Sequence, residues 1–223
     1  DINDNKKIKA IIKKEKPDIV FHLAAQSIVS ESLVNPLETI KTNVLGSASI
    51  LDAFNNSNIK TLIYCTSDKC YENNVWIWSY RENDILGGKD PYSVSKACAE
   101  LIFKTYLESF LLNNKNKRMG SVRAGNVIGG GDFKKERLIP DIFKAIFNNK
   151  KLIIKNINSV RPWQHVLDPL YGYLILGINL LEKNKFDIPN WNFGPNVEKF
   201  YSVGLIISKI EKFLNMKINK SVS

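Results

Sequence analysis

The pattern of apolar runs predicts an α/β protein built on a doubly wound parallel sheet. Three observations carry this expectation. Two short runs, 18–24 and 60–66, are apolar at nearly every position and rich in β-branched or aromatic residues, as strands buried on both faces must be. Stretches of helical spacing separate such runs, giving strand, helix, strand, helix, strand. The carboxyl ends of three runs carry polar or small residues, His22-Leu23-Ala24-Ala25-Gln26, Thr66-Ser67-Asp68-Lys69 and Arg123-Ala124-Gly125-Asn126. Sheets of this kind bind ligands at those ends.

Taken in order, positions 4–15 form a helix with Ile8, Ile11 and Ile12 on one face and lysines on the other, ended by Pro17. The first strand follows. Pro36 opens one long helix through Phe54, with Ile40, Val44, Leu51 and Phe54 near helical spacing. After the second strand, residues 70–90 make a long loop holding Trp76, Trp78, Gly87 and Gly88, a length that points to a lid or binding loop. Asp90-Pro91 starts a helix that runs to about Leu112, proline being suited to the first helical position. A third strand spans 121–124, helices follow at 138–148 and 168–182, and short strands at 151–155 and 191–193. Ser202 caps a last helix to Leu214. There is no internal repeat and no low-complexity tract.

Composition bounds the function. Hydrophobic residues are 44% and charged residues 24% of 223, the profile of a globular chain rather than a disordered or collagen-like one. The longest apolar run, Tyr173 to Leu181, is broken by Gly177 and falls short of the ~20 residues of a membrane span. The first residues lack the layout of a secretory signal. Cys65, Cys70 and Cys98 are an odd number without paired-ligand spacing, which argues for reduced thiols in a cytoplasm and against a disulfide framework or a metal site. The net charge of +10 raises the case for an anionic partner. The lysines are scattered, however, over 6–16 and over loops at Lys115, Lys117, Lys134, Lys135, Lys150 and Lys151, without interleaved aromatics. We therefore read them as solvated surface and expect no nucleic-acid partner.

Tyr92-Ser93-Val94-Ser95-Lys96 carries the chemistry. Residues four apart share a helix face, so the Lys96 ammonium lies close to the Tyr92 phenol, favours the phenolate and makes it a usable general base. The spacing alone is common. Its context is not: a strand ending in Ser67-Asp68-Lys69 lies about 25 residues earlier, with a hydroxyl to hold a substrate oxygen beside an acid/base pair.

These motifs, with Tyr80-Arg81-Glu82-Asn83-Asp84, Gly87-Gly88-Lys89-Asp90-Pro91, Arg123 to Asp132, Arg137-Leu138-Ile139-Pro140-Asp141 and Arg161-Pro162-Trp163-Gln164-His165-Val166, resemble the extended short-chain dehydrogenase/reductases acting on nucleotide sugars. Among them the resemblance is to the 4,6-dehydratases of CDP-glucose, over nearly the whole chain. The Ser-Asp-Lys triplet discriminates, since related dehydratases of dTDP-glucose and GDP-mannose carry Asp-Glu or Ser-Glu there and epimerases lack the pair.

The resemblance implies NAD as cofactor and a Rossmann-type sheet lacking its first strands, with part of a smaller C-terminal substrate-binding lobe. It places the NAD-binding part at 1–128, rejoined at about 164–194, and the lobe at 129–163 and 195–223. Tyr92, helped by Lys96, removes the sugar 4-hydroxyl proton as hydride leaves C4, and Ser67 holds that oxygen. Asp68 and Lys69 assist loss of water across C5 and C6, and hydride returns to C6. Lys69 stands where relatives use glutamate, so its role requires a neutral amine, obtained by burial or neighbouring cations. Asp1, Ile2, His22, Leu23, Ala24, Ala25, Gln26, Asn43 and Thr66 are implied NAD contacts, together with Tyr92 and Lys96. Asn126, Arg137, Leu138, Arg161 and His165 are implied nucleotide-sugar contacts, the arginines suiting a diphosphate. Read by themselves, Asn43 is as well explained by a cap within its helix and His165 by a satisfied strand histidine. Gly129-Gly130-Gly131 has no Lys-Ser/Thr after it and reads as a turn.

The family's Gly-x-x-Gly-x-x-Gly phosphate loop is not in this sequence. The expectation is an internal piece of a longer homo-oligomeric enzyme, inactive by itself. The alternatives are another extended short-chain enzyme, an epimerase or a dehydratase of dTDP-, UDP- or GDP-sugars, or a non-catalytic, cofactor-free binding module.

Overall fold

The structure, a computed structural model, describes residues 1–114, 116–182, 188–196 and 201–222; Lys115 and part of the segment 195–223 lie outside them. In chain order its first elements are α1 (Asn5–Glu15), β1 (Ile19–His22), α2 (Val29–Val34), α3 (Pro36–Ile40), α4 (Gly46–Asn55), β2 (Thr61–Cys65), α5 (Pro91–Tyr106) and β3 (Arg118–Ala124). They are followed by β4 (Val127–Ile128), α6 (Leu138–Phe147), β5 (Leu152–Ile154), β6 (Val160–Arg161), β7 (Gln164–His165), α7 (Leu167–Leu181), β8 (Asn190–Phe193), β9 (Tyr201–Ser202), α8 (Val203–Leu214) and β10 (Lys220–Val222). The chain packs as two units, Asp1–Ala124 with Leu170–Phe193, and Gly125–Pro169 with Gly194–Ser223.

The first unit is the expected parallel α/β sheet, with strand order β1-β2-β3-β8 and every pairing parallel. Alternation within β2 explains its two cores. Leu62 and Tyr64 pack on one face with Leu51, Phe54, Ala99, Phe103 and Met119, while Ile63 turns to the other with Val122, Tyr173, Leu176 and Leu180. All of β2 but Cys65 is buried, as its apolar run requires. Among the described residues of the second unit, Ile142, Ala145, Leu152, Ile154, Ile207 and Ile218 form a separate core.

Two expectations need correction. The helix drawn from Pro36 to Phe54 is interrupted by a π-helical turn at Lys41–Leu45, and a short helix, α2, precedes it. Ile11 does not join the buried face of α1 but is exposed, Ile12 alone of its pair packing on the core.

Candidate active site

The chain leaves β2 through Thr66, whose buried hydroxyl donates to the Glu100 carboxylate. Ser67 is extended and buried; its Oγ accepts the Lys69 amide at 3.2 Å and donates to Asp68 Oδ1 at 3.1 Å. That side-chain cap is why a single 3₁₀ turn, Asp68–Cys70, forms directly after the strand. The turn packs against α5. Ser67 thus faces inward, Asp68 is half-buried and Lys69 is exposed. The burial that a basic Lys69 was expected to need is therefore absent, because the residue sits at the outer corner of the turn.

Helix α5 is set by its first residues. Asp90 accepts the Ser93 amide at 2.9 Å and the Ser93 hydroxyl at 2.7 Å, Pro91 follows, and the Tyr92 amide donates to Ser32 Oγ at 3.2 Å. The loop approaches so closely that a Cβ at Gly88 would lie 2.5 Å from that of Ser93. Tyr92 and Lys96 are both buried on one face, the Lys96 ammonium 6.0 Å from the phenol ring centroid. Burial holds the Lys96 pKa below the usual lysine value, against the opposing pull of Cys65, Glu100 and Cys70.

At the end of β1, His22 is buried with Nε2 3.2 Å from Ser47 Oγ, and its ring lies against Tyr64. Burial, and then the charge of Lys96, lower its pKa to about 4. Leu23 and Ala24 beyond it are exposed, Ala25 and Gln26 half-buried. Asn43 does not cap its own helix. It lies in the π-helical turn, accepts the Gln26 amide at 2.8 Å, and donates to Gln26 O at 2.8 Å and Ser95 Oγ at 2.9 Å. Ser95 donates on to Tyr92 O, so one asparagine ties the β1 loop to α5. π-Turns of this kind are frequent at functional sites. Asp1 is exposed and accepts the Asn3 amide; the Ile2 side chain would meet a Cβ at Gly46.

The second unit holds the remaining candidates. Asn126 O accepts the Gln164 amide at 3.1 Å, joining β4 to β7. Arg137 precedes α6 and pairs with Asp132 at 3.1 Å, and Leu138 starts that helix. Arg161 is exposed on β6. His165 lies exposed on β7, its Nδ1 accepting the Leu167 amide at 3.2 Å, as a satisfied strand histidine would. Among the triple glycines, Gly131 has φ +81°, the left-handed turn geometry that favours glycine.

Sequence reasoning did not single out Glu100. Its carboxylate accepts from Thr66, from Ser121 Oγ at 2.9 Å, from Arg123 Nε and Nη2 at 2.9 and 2.7 Å, and from Asn190 Nδ2 at 3.0 Å. Both it and Arg123 are buried. Burial works against the charged guanidinium, but hydrogen bonds and charge from Glu100 overcome it and move the Arg123 pKa up. The available signals were an acid one turn beyond Lys96 and an arginine directly after Val122 in a strand.

The parallel sheet and the Tyr92-Lys96 helix beside its strand ends define an α/β fold of the short-chain dehydrogenase/reductase kind. The chain belongs to the GDP-mannose 4,6 dehydratase family, whose description matches residues 1–184. It is 47% identical to the CDP-glucose 4,6-dehydratase of Salmonella typhimurium over 215 residues, covering 94% of this chain and 60% of that protein. It is 34% identical over 163 residues to the dTDP-D-glucose 4,6-dehydratase of Dictyostelium discoideum, covering 69% of this chain and 36% of that one. The chain therefore spans 60% and 36% of these two relatives' lengths, under two thirds of either. In fold it matches the UDP-glucose 4-epimerase of Thermotoga maritima, solved with UDP-glucose, at TM-score 0.85 and 21% identity, covering all of this chain and 69% of that one. It also matches the dTDP-glucose 4,6-dehydratase of Bacillus anthracis, solved with NAD, at TM-score 0.82 and 22% identity, covering all of this chain and 66% of that one. Among the described residues no helix is long and apolar enough to cross a membrane.

Proposed function

We propose that this chain carries the catalytic centre of a nucleotide-sugar 4,6-dehydratase, with CDP-glucose as substrate and CDP-4-keto-6-deoxyglucose as product. One observation carries the reading: the Ser67-Asp68-Lys69 turn is packed against the helix that presents Tyr92 and Lys96, so a base for alcohol oxidation and an acid/base pair for elimination share a strand end. The 47% identity to the Salmonella enzyme supports CDP-glucose over other nucleotide sugars. Asp68-Lys69 also argues against an epimerase, which needs no elimination pair.

The cofactor of this reading is NAD, and the residues present fit it. The β1 end opens into exposed Leu23 and Ala24, small enough at Ala24 to admit a dinucleotide. When bound, NAD supplies the hydride acceptor for C4 and the donor for C6. Tyr92 Oη takes the 4-hydroxyl proton, and the Lys96 ammonium favours the phenolate that does so. Ser67 Oγ holds the C4 oxygen. The 4-ketone acidifies C5–H; Lys69 Nζ takes that proton while Asp68 donates one to the departing 6-hydroxyl, which leaves as water. An exposed Lys69 requires that bound substrate supply its desolvation. His22 to Gln26, Asn43 and Thr66, with Asp1 and Ile2 on the adenine side, are the proposed cofactor contacts. Arg137 and Arg161 are proposed to meet the diphosphate, with Asn126, Leu138 and His165 completing the sugar-nucleotide contacts; the segments 129–163 and 195–223 are the substrate lobe.

The test is direct. The protein as encoded by its gene, incubated with NAD and CDP-, dTDP-, UDP- or GDP-glucose, is expected to form 4-keto-6-deoxy sugar fastest from the CDP compound. A C4 epimer as product, or no preference for CDP, would overturn the assignment.

A further inference from the structure

The buried Glu100–Arg123 pair does more than close a core. Glu100 lies at four-residue spacing from Lys96 and eight from Tyr92, so all three lie on one stripe of α5. From this carboxylate two arms reach the candidate elimination turn. One is short: Thr66, the residue before Ser67, donates to it directly. The other runs through Arg123, whose Nη1 donates to Tyr71 Oη at 2.7 Å, Tyr71 being the residue that follows the turn. The arc 67–70 is thus pinned at both ends to one buried charge on the helix that holds Tyr92.

The second arm continues into the long loop. Arg123 Nη1 also donates to Glu82 O at 2.8 Å, and Tyr71 Oη donates to Asn192 Oδ1 at 2.7 Å. Asn192 in turn gives its amide to Glu82 Oε1 at 2.9 Å and its Nδ2 to Tyr80 O at 3.1 Å. The guanidinium sits 5.1 Å from the Tyr71 ring centroid, Tyr71 stacks on Tyr80 at 5.1 Å, and Trp76 lies on Tyr80 at 5.3 Å. Burial pushes the Tyr71 phenol up to about 12, so it stays a neutral donor. A core needing only apolar filling has no use for this chain of directional bonds, which cost desolvation unless each is made.

We propose that Tyr71 and Arg123, seated on Glu100, are positioning residues that hold the Ser67–Asp68–Lys69 turn and the 72–86 loop in register with Tyr92 and Lys96. The inference rests on the dehydratase reading for its kinetic consequence, not for its geometry. Tyr92 and Lys96 are fixed by their own helix, and Ser67 stays anchored through the neighbouring Thr66–Glu100 bond. Loosening the Tyr71 end of the arc therefore spares removal of the C4 hydride and slows departure of the C5 proton and the C6 hydroxyl as water. Misplacement of a catalytic group by about 1 Å costs on the order of 10²-fold.

Tyr71→Phe keeps the ring and its stacking and deletes only the hydroxyl. In the full protein with NAD and CDP-glucose, it is expected to reduce the cofactor at the wild-type rate yet form product on the order of 10²-fold more slowly, so that reduced cofactor accumulates on the enzyme. A core variant, Ile63→Val, chosen to lose similar thermal stability, is expected to show no accumulation. Equal slowing of both steps in Tyr71→Phe, or of neither, overturns the proposal. Amide exchange gives a readout independent of turnover. The amides of Cys70, Glu72 and Gly87, bonded to Ser67 O, Ile85 O and Cys70 O, are expected to lose protection in Tyr71→Phe while those of α5 do not. Unchanged protection there sinks the strut even if the wild type dehydrates no nucleotide glucose, a result that by itself sinks only the dehydratase reading.

Discussion

On the proposed reading Tyr92 is the group that takes the proton of the sugar alcohol. Its ring is buried, its amide is held by Ser32, and a lysine lacking full solvation sits 6.0 Å away. On the dehydratase reading Tyr92→Phe removes the proposed proton acceptor while keeping the ring, so product formation is expected to fall between about 10²- and 10⁴-fold. Lys69→Ala is expected to abolish water loss and leave the fold intact, since the residue is exposed; unimpaired turnover would count against its role. His22 gives a pH dependence. Its folded pKa of about 4 lies below the ordinary 6.5, so the unfolded chain binds the extra proton first. The stability from a neutral His22 is complete above pH 6.5 and is lost as pH falls toward 4, about 3 kcal/mol across that window. His22→Gln, which takes up no proton there, is expected to show a flatter thermal midpoint between those limits. The placement of Tyr92 and Lys96 on one helix face was legible because i,i+4 spacing needs no tertiary information. Glu100 was not, because its four partner residues, Thr66, Ser121, Arg123 and Asn190, come from three separate stretches of chain.

Among the elements, those with sharp end signals were read closely. Asp90-Pro91 and Ser202 cap their helices as expected, Ser202 Oγ accepting the Leu205 amide at 3.2 Å. Asp90→Ala should cost about 1 kcal/mol by loss of the cap, measured as a lowered denaturant midpoint with unchanged slope. The misread stretch is 29–45. Helix α2 has no side-chain cap, and the break at Lys41–Leu45 leaves the apolar spacing of Ile40 and Val44 undisturbed. What distinguishes that break is Asn43, whose bonds to Gln26 and Ser95 lie 17 and 52 residues away. The two-residue strands β4, β6, β7 and β9 escaped for a like reason, since no periodicity exists in two residues.

For the molecule as a whole, the parallel sheet was visible because its strands are apolar on both faces. Phe103, fully buried between Tyr64 and the α4 side of the core, tests that layer: Phe103→Ala should lose about 3–5 kcal/mol by calorimetry or denaturant unfolding. The sheet's connectivity bears on how the protein is made. β3 pairs with β8, Ser121 against Asn190 through Ala124 against Phe193, across an excursion through the second unit. A ribosome emitting the chain delivers β1, β2 and β3 early, but the partner that covers the flank of β3 emerges only some seventy residues later. Glu100, with Arg123 already beside it, must wait for Asn190 to complete its set of donors. Closure of this unit is therefore non-local and late, and the nascent chain passes through an interval with a bare β3 edge, the stage at which a chaperone that shields strand edges would raise the yield of native protein.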